Sequence, residues 1–196
     1  DKKRTELSDM YYIDINDVVP KEANTSVLKA RYCKTHPHTL FEEYQVSIYF
    51  DGKLKPFADF SQWVYDAQKT STGIGGVKHP ERNCIYMEGI ACDVLKKAKK
   101  NDICGQMLQY MEEGMPGQYG LLDTCFMIRW HNRPVCKTIM EHWWKELTKF
   151  TIRDQLSLPY VLWKQGYSLA DLFLISFSDL MNVFSLKKHV KGGRNT

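Results

Sequence analysis

Several carboxylates, cations and imidazoles along the 196-residue chain are spaced so that they could act together. Asp51 directly follows the β-rich run Gln45–Phe50. A carboxylate at a strand end can hold a hard divalent cation and, through it, a diphosphate. Asp51-Gly52 between two β-like runs is equally a hairpin-turn signal. Arg31 and Lys34 stand one helical turn apart, a pair that can neutralise a diphosphate or simply decorate a helix. The polar segment Lys78-His79-Pro80-Glu81-Arg82-Asn83 follows a Gly-rich strand and offers His79 and Arg82 to an anion. Glu88 falls at the margin of an apolar helical face. There a half-buried acid can serve as base or sugar-hydroxyl acceptor, or as a salt-bridged structural group. Asp154, in Thr151-Ile-Arg-Asp154, fits a capping box or a general base at a helix start. His131 and His189 each follow a strand-like run and could ligate a metal through imidazole, although a lone histidine is more often an ordinary hydrogen-bonded residue.

These residues need elements to position them. The spacing predicts strands at Met10–Ile15, Gln45–Phe50, Ile74–His79, Thr124–Trp130 and Val183–Lys187. Helices are expected at Asn24–Phe41 (broken at Pro37), Asp59–Lys69, Cys84–Lys100, Asp102–Glu113, Pro134–Phe150 and Thr151–Gln165. In Cys84–Lys100 the apolar positions 84, 87, 91, 94, 95 and 98 define the face expected to be buried, with Lys96, Lys97, Lys99 and Lys100 on a solvated face. Strands separated by helices imply an α/β layer fold, in which ligands collect beyond the carboxyl ends of strands. By that rule Asp51, the His79–Arg82 segment and the Arg129–Arg133 segment are the places to look.

Composition narrows the class. Hydrophobic residues at 43% and charged residues at 26% fit a globular domain, and the length fits one. No apolar run is long enough to span a membrane and no leader-like segment is present, so a cytoplasmic protein is expected. A net charge of +4 gives no reason to expect a nucleic-acid partner. The six cysteines match no zinc spacing and read as reduced thiols. P-loop, dinucleotide-binding, nucleophile-elbow and HExxH motifs are all missing. With 5 Trp, 11 Tyr and 9 Phe, the chain has aromatics for a core and for stacking sugars, and Trp130 and Trp163 are candidates for the latter.

Five segments, in order, resemble a family of glycosyltransferases with bacterial polysaccharide, plant Golgi and chlorella-virus members. They are Ala30–Lys34 with Pro37-His38 and Leu40-Phe41; Tyr44–Leu54; Lys78–Tyr86 with Glu88; Met127–Asn132; and Trp143–Leu147 followed by Phe150–Ser157. The resemblance implies a GT-A-like nucleotide-sugar-binding sandwich, with a central mixed, mostly parallel sheet flanked by helices. It implies transfer of a hexosyl or deoxyhexosyl group from a nucleotide diphosphate donor, a UDP-sugar first, to a glycan hydroxyl. A divalent metal, Mn²⁺ or else Mg²⁺, would assist. Carried over, Asp51 and His189 are the metal ligands, and Arg31, Lys34, His79, Arg82 and Arg129 contact the donor. Asp154 is the acceptor-side base, with Glu88 beside it. The chain departs from the GT-A metal motif, two acids separated by one residue, because the second acid is replaced by Lys53. A non-catalytic carbohydrate-binding module on the same fold is the alternative. Family members carry an earlier strand and loop, so residues 1–196 are expected to be one catalytic domain lacking that unit or part of a longer polypeptide.

Overall fold

The computed structural model describes residues 13–187. In chain order its elements are α1 (Ile15–Val18), α2 (Ser26–Thr35), α3 (Pro37–Leu40), β1 (Ser47–Phe50), β2 (Leu54–Pro56), α4 (Ser61–Lys69), β3 (Ile74–Lys78), α5 (Ile85–Val94), α6 (Lys100–Glu112), β4 (Leu122–Arg129), α7 (Pro134–Lys149), α8 (Asp154–Lys164), a 3₁₀ turn (Leu169–Asp171), β5 (Phe173–Ile175), α9 (Phe177–Met181) and β6 (Phe184–Leu186). The first half of the strand expected at Met10–Ile15 falls outside the described residues. Ile15 instead opens a helical turn, because the Asp14 carboxylate caps it by accepting from the Asn16 amide.

The main sheet has the order β1-β4-β3-β5. It is mixed, as expected, but its balance differs from the mostly parallel sheet inferred above. β4 runs antiparallel to both β1 and β3, and only β3 and β5 are parallel. The carboxyl ends of β1 and β3 therefore lie beside the amino-terminal start of β4. Asp51-Gly52 does make a turn, with the Leu54 amide donating to the Asp51 carbonyl at 2.8 Å. No hairpin follows, since β2 leaves the sheet to pair with β6.

Between β3 and β4 the register jumps. Gly76 faces Met127, but Val77 faces Asp123. Residues 124–126 of β4 thus bulge away from β3, although Phe126 still opposes Phe50 on β1. A bulge of this kind re-aims side chains and frees backbone groups. Here it frees the Thr124 carbonyl.

Apolar layers cover both faces of the sheet. On one, Ile74, Leu122 and Met127 pack on Ile139, Trp143 and Leu147 of α7 and Leu158 and Leu162 of α8. On the other, Val77, Phe126 and Ile128 pack on Ala67 of α4, Leu180 of α9, and Leu54 and Phe184. Trp143 is fully buried and donates its indole N–H to Ser157 Oγ at 3.0 Å. That bond joins α7 to α8 at the level where α8 begins.

The Cys84–Lys100 segment departs from expectation. α5 ends at Val94, and its buried face is Ile85, Glu88, Gly89 and Cys92. Met87, Val94 and Leu95, assigned inward from their apolar type, are 54%, 74% and 59% exposed. The small Gly89 explains the difference: a Cβ there would sit 3.1 Å from Met107, so α6 lies close against this face. The helix stops in a Schellman turn. Lys96 adopts φ +51°, its amide bonds to the Asp93 carbonyl, and the Lys97 amide bonds to the Cys92 carbonyl. All six cysteines are free.

Candidate active site

A cleft of about 410 Å³ opens at the carboxyl ends of β1 and β3 and the start of β4. Asp51 and Lys53 enter it from the chain leaving β1, and His79, Glu81 and Arg82 from the chain leaving β3. Asp123, Thr124 and Cys125 come from the bulged end of β4, and Arg153, Asp154 and Gln155 from the start of α8. Arg31 of α2, Glu88 of α5 and Lys97 from the α5 exit close the remaining side.

Asp154 is the first residue of α8, and its side chain is 5% exposed. Lys34 Nζ lies 2.5 Å and Arg31 Nη1 3.0 Å from its Oδ2. Both ion pairs fall on that one oxygen. Burial alone would raise the Asp154 pKa, but the Lys34 and Arg31 charges outweigh it and hold the carboxyl below its ordinary value. The expected capping box does not form. Thr151 Oγ1 instead donates to Gln106 Oε1 at 2.7 Å, and the Asp154 carboxylate turns to the cations.

Lys34 is as buried as its partner, at 1% exposure. It also donates to the freed Thr124 carbonyl at 2.9 Å and lies 4.5 Å from the centre of the Tyr49 ring. The Tyr49 hydroxyl donates to Asp51 Oδ1 at 3.0 Å. Burial, and then the Asp51 charge, push the Tyr49 pKa up, so this proton stays in place. A single chain of contacts thus runs from Asp154 through Lys34 and Tyr49 to Asp51.

The second cluster is built on the loop after β3. His79 Nδ1 accepts the backbone N–H groups of Glu81 and Arg82 at 3.2 and 3.0 Å, which fixes the proton of the neutral ring on Nε2. Burial lowers the His79 pKa, with Glu88 opposing. Glu88 is completely buried; its Oε2 accepts from Arg82 Nε at 2.6 Å and lies 3.8 Å from His79 Nε2. Arg82 reaches Glu81 as well, at 2.9 Å. Glu88 therefore holds Arg82 at the cleft wall.

Of the cleft cations, Arg31 and Arg82 are paired with carboxylates. Lys53, Lys97 and Arg153 have no carboxylate within 4.0 Å among the described residues. Arg153 Nε is buried without a hydrogen-bond partner among them. No Phe, Tyr or Trp side chain of the described residues lines the cleft. Trp130, a candidate for sugar stacking, instead donates its indole N–H to the Val64 carbonyl, and Trp163 packs against the α7–α8 core.

The family model of the TOD1/MUCI70, glycosyltransferase-like domain matches residues 22–189. The chain belongs to that family. No curated protein and no solved structure matches it. A TOD1/MUCI70 domain is glycosyltransferase-like, which implies a sugar donor and an acceptor, and the four-stranded mixed sheet flanked by helices is compatible with a GT-A-like fold. No helix among the described residues is long and apolar enough to cross a membrane.

Within this TOD1/MUCI70 domain, Arg31, Asp51, His79, Arg82, Glu88 and Asp154 all line one cleft, and Lys34 lies beneath it. Arg129 does not join them. It pairs with Ser47 and Ile74 at the amino-terminal ends of β1 and β3, the opposite end of the sheet. The reason is the direction of β4, whose carboxyl end points away from the cleft. Arg129 is buried, donates to the Lys34 carbonyl, and is brought down by burial to about 10, still charged at neutral pH. His131 lies beyond the same end and bonds to the Phe41 carbonyl. His189 is outside the described residues. Asp123, Arg153 and Gln155 also line the cleft, although no motif or spacing marks them as site residues, and Lys97, expected on a solvated face, joins them. A glycine after Val94 would have marked the turn that aims Lys97; a lysine at φ +51° gives no such signal.

The described residues do not by themselves make a metal site. No three His, Cys, Asp or Glu side chains among them gather in a group that could hold an ion. Asp51 already accepts the Tyr49 hydroxyl, and Lys53 brings an ammonium where a second acid would stand.

Proposed function

We propose that this domain transfers a hexosyl or deoxyhexosyl group from a nucleoside diphosphate donor, a UDP-sugar in the first instance, to a glycan hydroxyl. The observation that carries the proposal is the juxtaposition of two features in one cleft. Cations with no carboxylate partner among the described residues line it, and its floor carries Asp154, a carboxylate kept ionised by Lys34 and Arg31. Cations suit a leaving diphosphate, and an ionised carboxylate suits an acceptor hydroxyl.

In the proposed step the acceptor oxygen attacks the anomeric carbon of the donor. The bond from that carbon to the β-phosphate oxygen breaks, and its electron pair leaves with the nucleoside diphosphate. The hydroxyl proton passes to the Asp154 carboxylate and then to solvent. Arg31, with one hand on Asp154 Oδ2, sets the carboxylate beside the phosphates, and Arg82, held by Glu88, contacts them from the β3 side.

Asp154→Asn tests the assignment while keeping the side-chain shape. Transfer from UDP-sugars should fall by about 10²–10⁴-fold, the usual contribution of a positioned base. UDP binding by calorimetry should change by less than about threefold, since RT ln 3 is only ~0.6 kcal/mol. Near-normal turnover would remove Asp154 as base. Glycan binding with no affinity for any nucleotide would point instead to a non-catalytic carbohydrate-binding module.

A further inference from the structure

The cleft handles negative charge in an unusual way for a site expected to use a divalent ion. Lys53 stands two residues after Asp51, and both side chains line the cleft. A second carboxylate there would share an ion with Asp51; an ammonium repels one. Asp51 is further committed to the Tyr49 hydroxyl. The other carboxylates offer little. Asp154 is held by Lys34 and Arg31, Glu81 and Glu88 by Arg82, and Asp123 accepts from the Cys125 amide and from Gln155.

Against that stand three cations with no carboxylate partner among the described residues, each delivered by a separate structural device. Lys53 follows the Asp51 turn at the exit of β1. Lys97 is swung in by the Schellman turn at Lys96. Arg153 occupies the N-cap position of α8 without capping it through its side chain, and its Nε is buried with no partner among the described residues.

We propose that Lys53, Lys97 and Arg153, and not a metal ion, neutralise the diphosphate of the donor, so that donor binding by this domain is metal-independent. The inference rests on the glycosyl-transfer reading above and concerns the same cleft. Breaking the sugar–phosphate bond leaves one more negative charge on the departing nucleoside diphosphate. The two ammoniums and the guanidinium meet that charge where a divalent ion would otherwise do so.

The test measures binding of UDP, GDP and inorganic pyrophosphate to the domain by calorimetry and thermal shift, in excess EDTA and in Mn²⁺. The expected result is binding of at least one of them in EDTA with a Kd within about threefold of that in Mn²⁺, a gap of only ~0.6 kcal/mol. Lys53→Ala and Lys97→Ala, both at exposed positions that leave the core intact, should each weaken binding in EDTA by roughly tenfold, as loss of a charge-assisted contact does. Lys53→Asp should abolish binding in EDTA and recover it in Mn²⁺, because it restores a second acid. Binding that requires Mn²⁺ in the unaltered domain overturns the metal-independent reading and leaves the donor assignment standing. No binding under either condition overturns both.

Discussion

Lys34 and Asp154 are 120 residues apart in sequence, yet Lys34 Nζ lies 2.5 Å from Asp154 Oδ2 in the floor of the cleft. Both side chains are at least 95% out of solvent. The pair ties α2 to the start of α8, and through the Thr124 carbonyl it also ties both to the bulge of β4.

Removing one member should therefore cost far more than a surface ion pair. Lys34→Met keeps the length of the side chain but leaves Asp154 with Arg31 alone and the Thr124 carbonyl unpaired. A buried charge stripped of its partner typically costs about 3–5 kcal/mol. Arg31 should hold the loss to the lower end of that range. Urea denaturation of the variant checks this, and a change below about 1 kcal/mol, the size of an exposed pair, would mean the network is not structurally coupled.

The pH dependence should fall in two windows. Burial lowers the pKa of His36, His79 and His131 in the folded state, so the unfolded chain binds protons more readily as pH falls through the ordinary histidine value, about 6.5. Unfolding free energy should drop between about pH 7 and pH 5 on this account. The Asp154 contribution, from a depressed carboxyl, is fully present above its unfolded value of about 3.9 and is lost only as pH falls through its lower folded value. Denaturation midpoints at about pH 7.5, 5.5, 4 and 2.5 separate the windows, the first pair bracketing the histidines and the last pair the Asp154 carboxyl. A flat profile from 7.5 to 5.5 would contradict the histidine assignment.

Lys96 sits at φ +51°, a conformation a glycine adopts freely and other L-residues adopt at a cost of about 1 kcal/mol. Lys96→Gly should therefore raise stability by up to about 1 kcal/mol, or roughly 2–4 °C in Tm for a chain of this size. The exposed position has no buried contact to lose. A lower Tm would mean that the lysine side chain makes a compensating contact.

Arg82 and Glu88 offer a coupled test. Arg82→Ala strands the Glu88 carboxylate in a site of 0% exposure, and a loss of about 3 kcal/mol is expected. Adding Glu88→Gln removes the stranded charge and should return part of that loss, giving a coupling of about 1 kcal/mol or more in the cycle. Strict additivity would show that Glu88 does not act through Arg82.

The elements of this domain are legible wherever the signal is local. Pro134 opens α7 and an apolar stripe through Ile139, Trp143 and Leu147 carries it, so the helix and its buried face follow from spacing alone. Gly114 and Gly166, at φ +87° and +78°, end α6 and α8 where a glycine says they should. Asp51 at the end of β1 and His79 at the end of β3 could be picked out in the same way, since side chains past a strand's carboxyl end are available to a ligand.

What the sequence left open was settled by contacts far apart in the chain. The apolar run along β4 shows a buried strand but not its direction, and the direction decides that Asp123 stands at the cleft while Arg129 stands at the far end of the sheet. Ladder pairing chose β6, not β1, as the partner of β2, because hydrogen bonds between strands carry no local record. Asp154 reads as a cap by spacing; only the approach of Lys34 and Arg31 from α2 turns its carboxylate into the floor of a site. Lys97 reads as solvated until the left-handed turn at Lys96 redirects it. Periodicity and capping are written residue by residue, whereas strand direction, pairing and the meeting of distant charges exist only once the layers have packed.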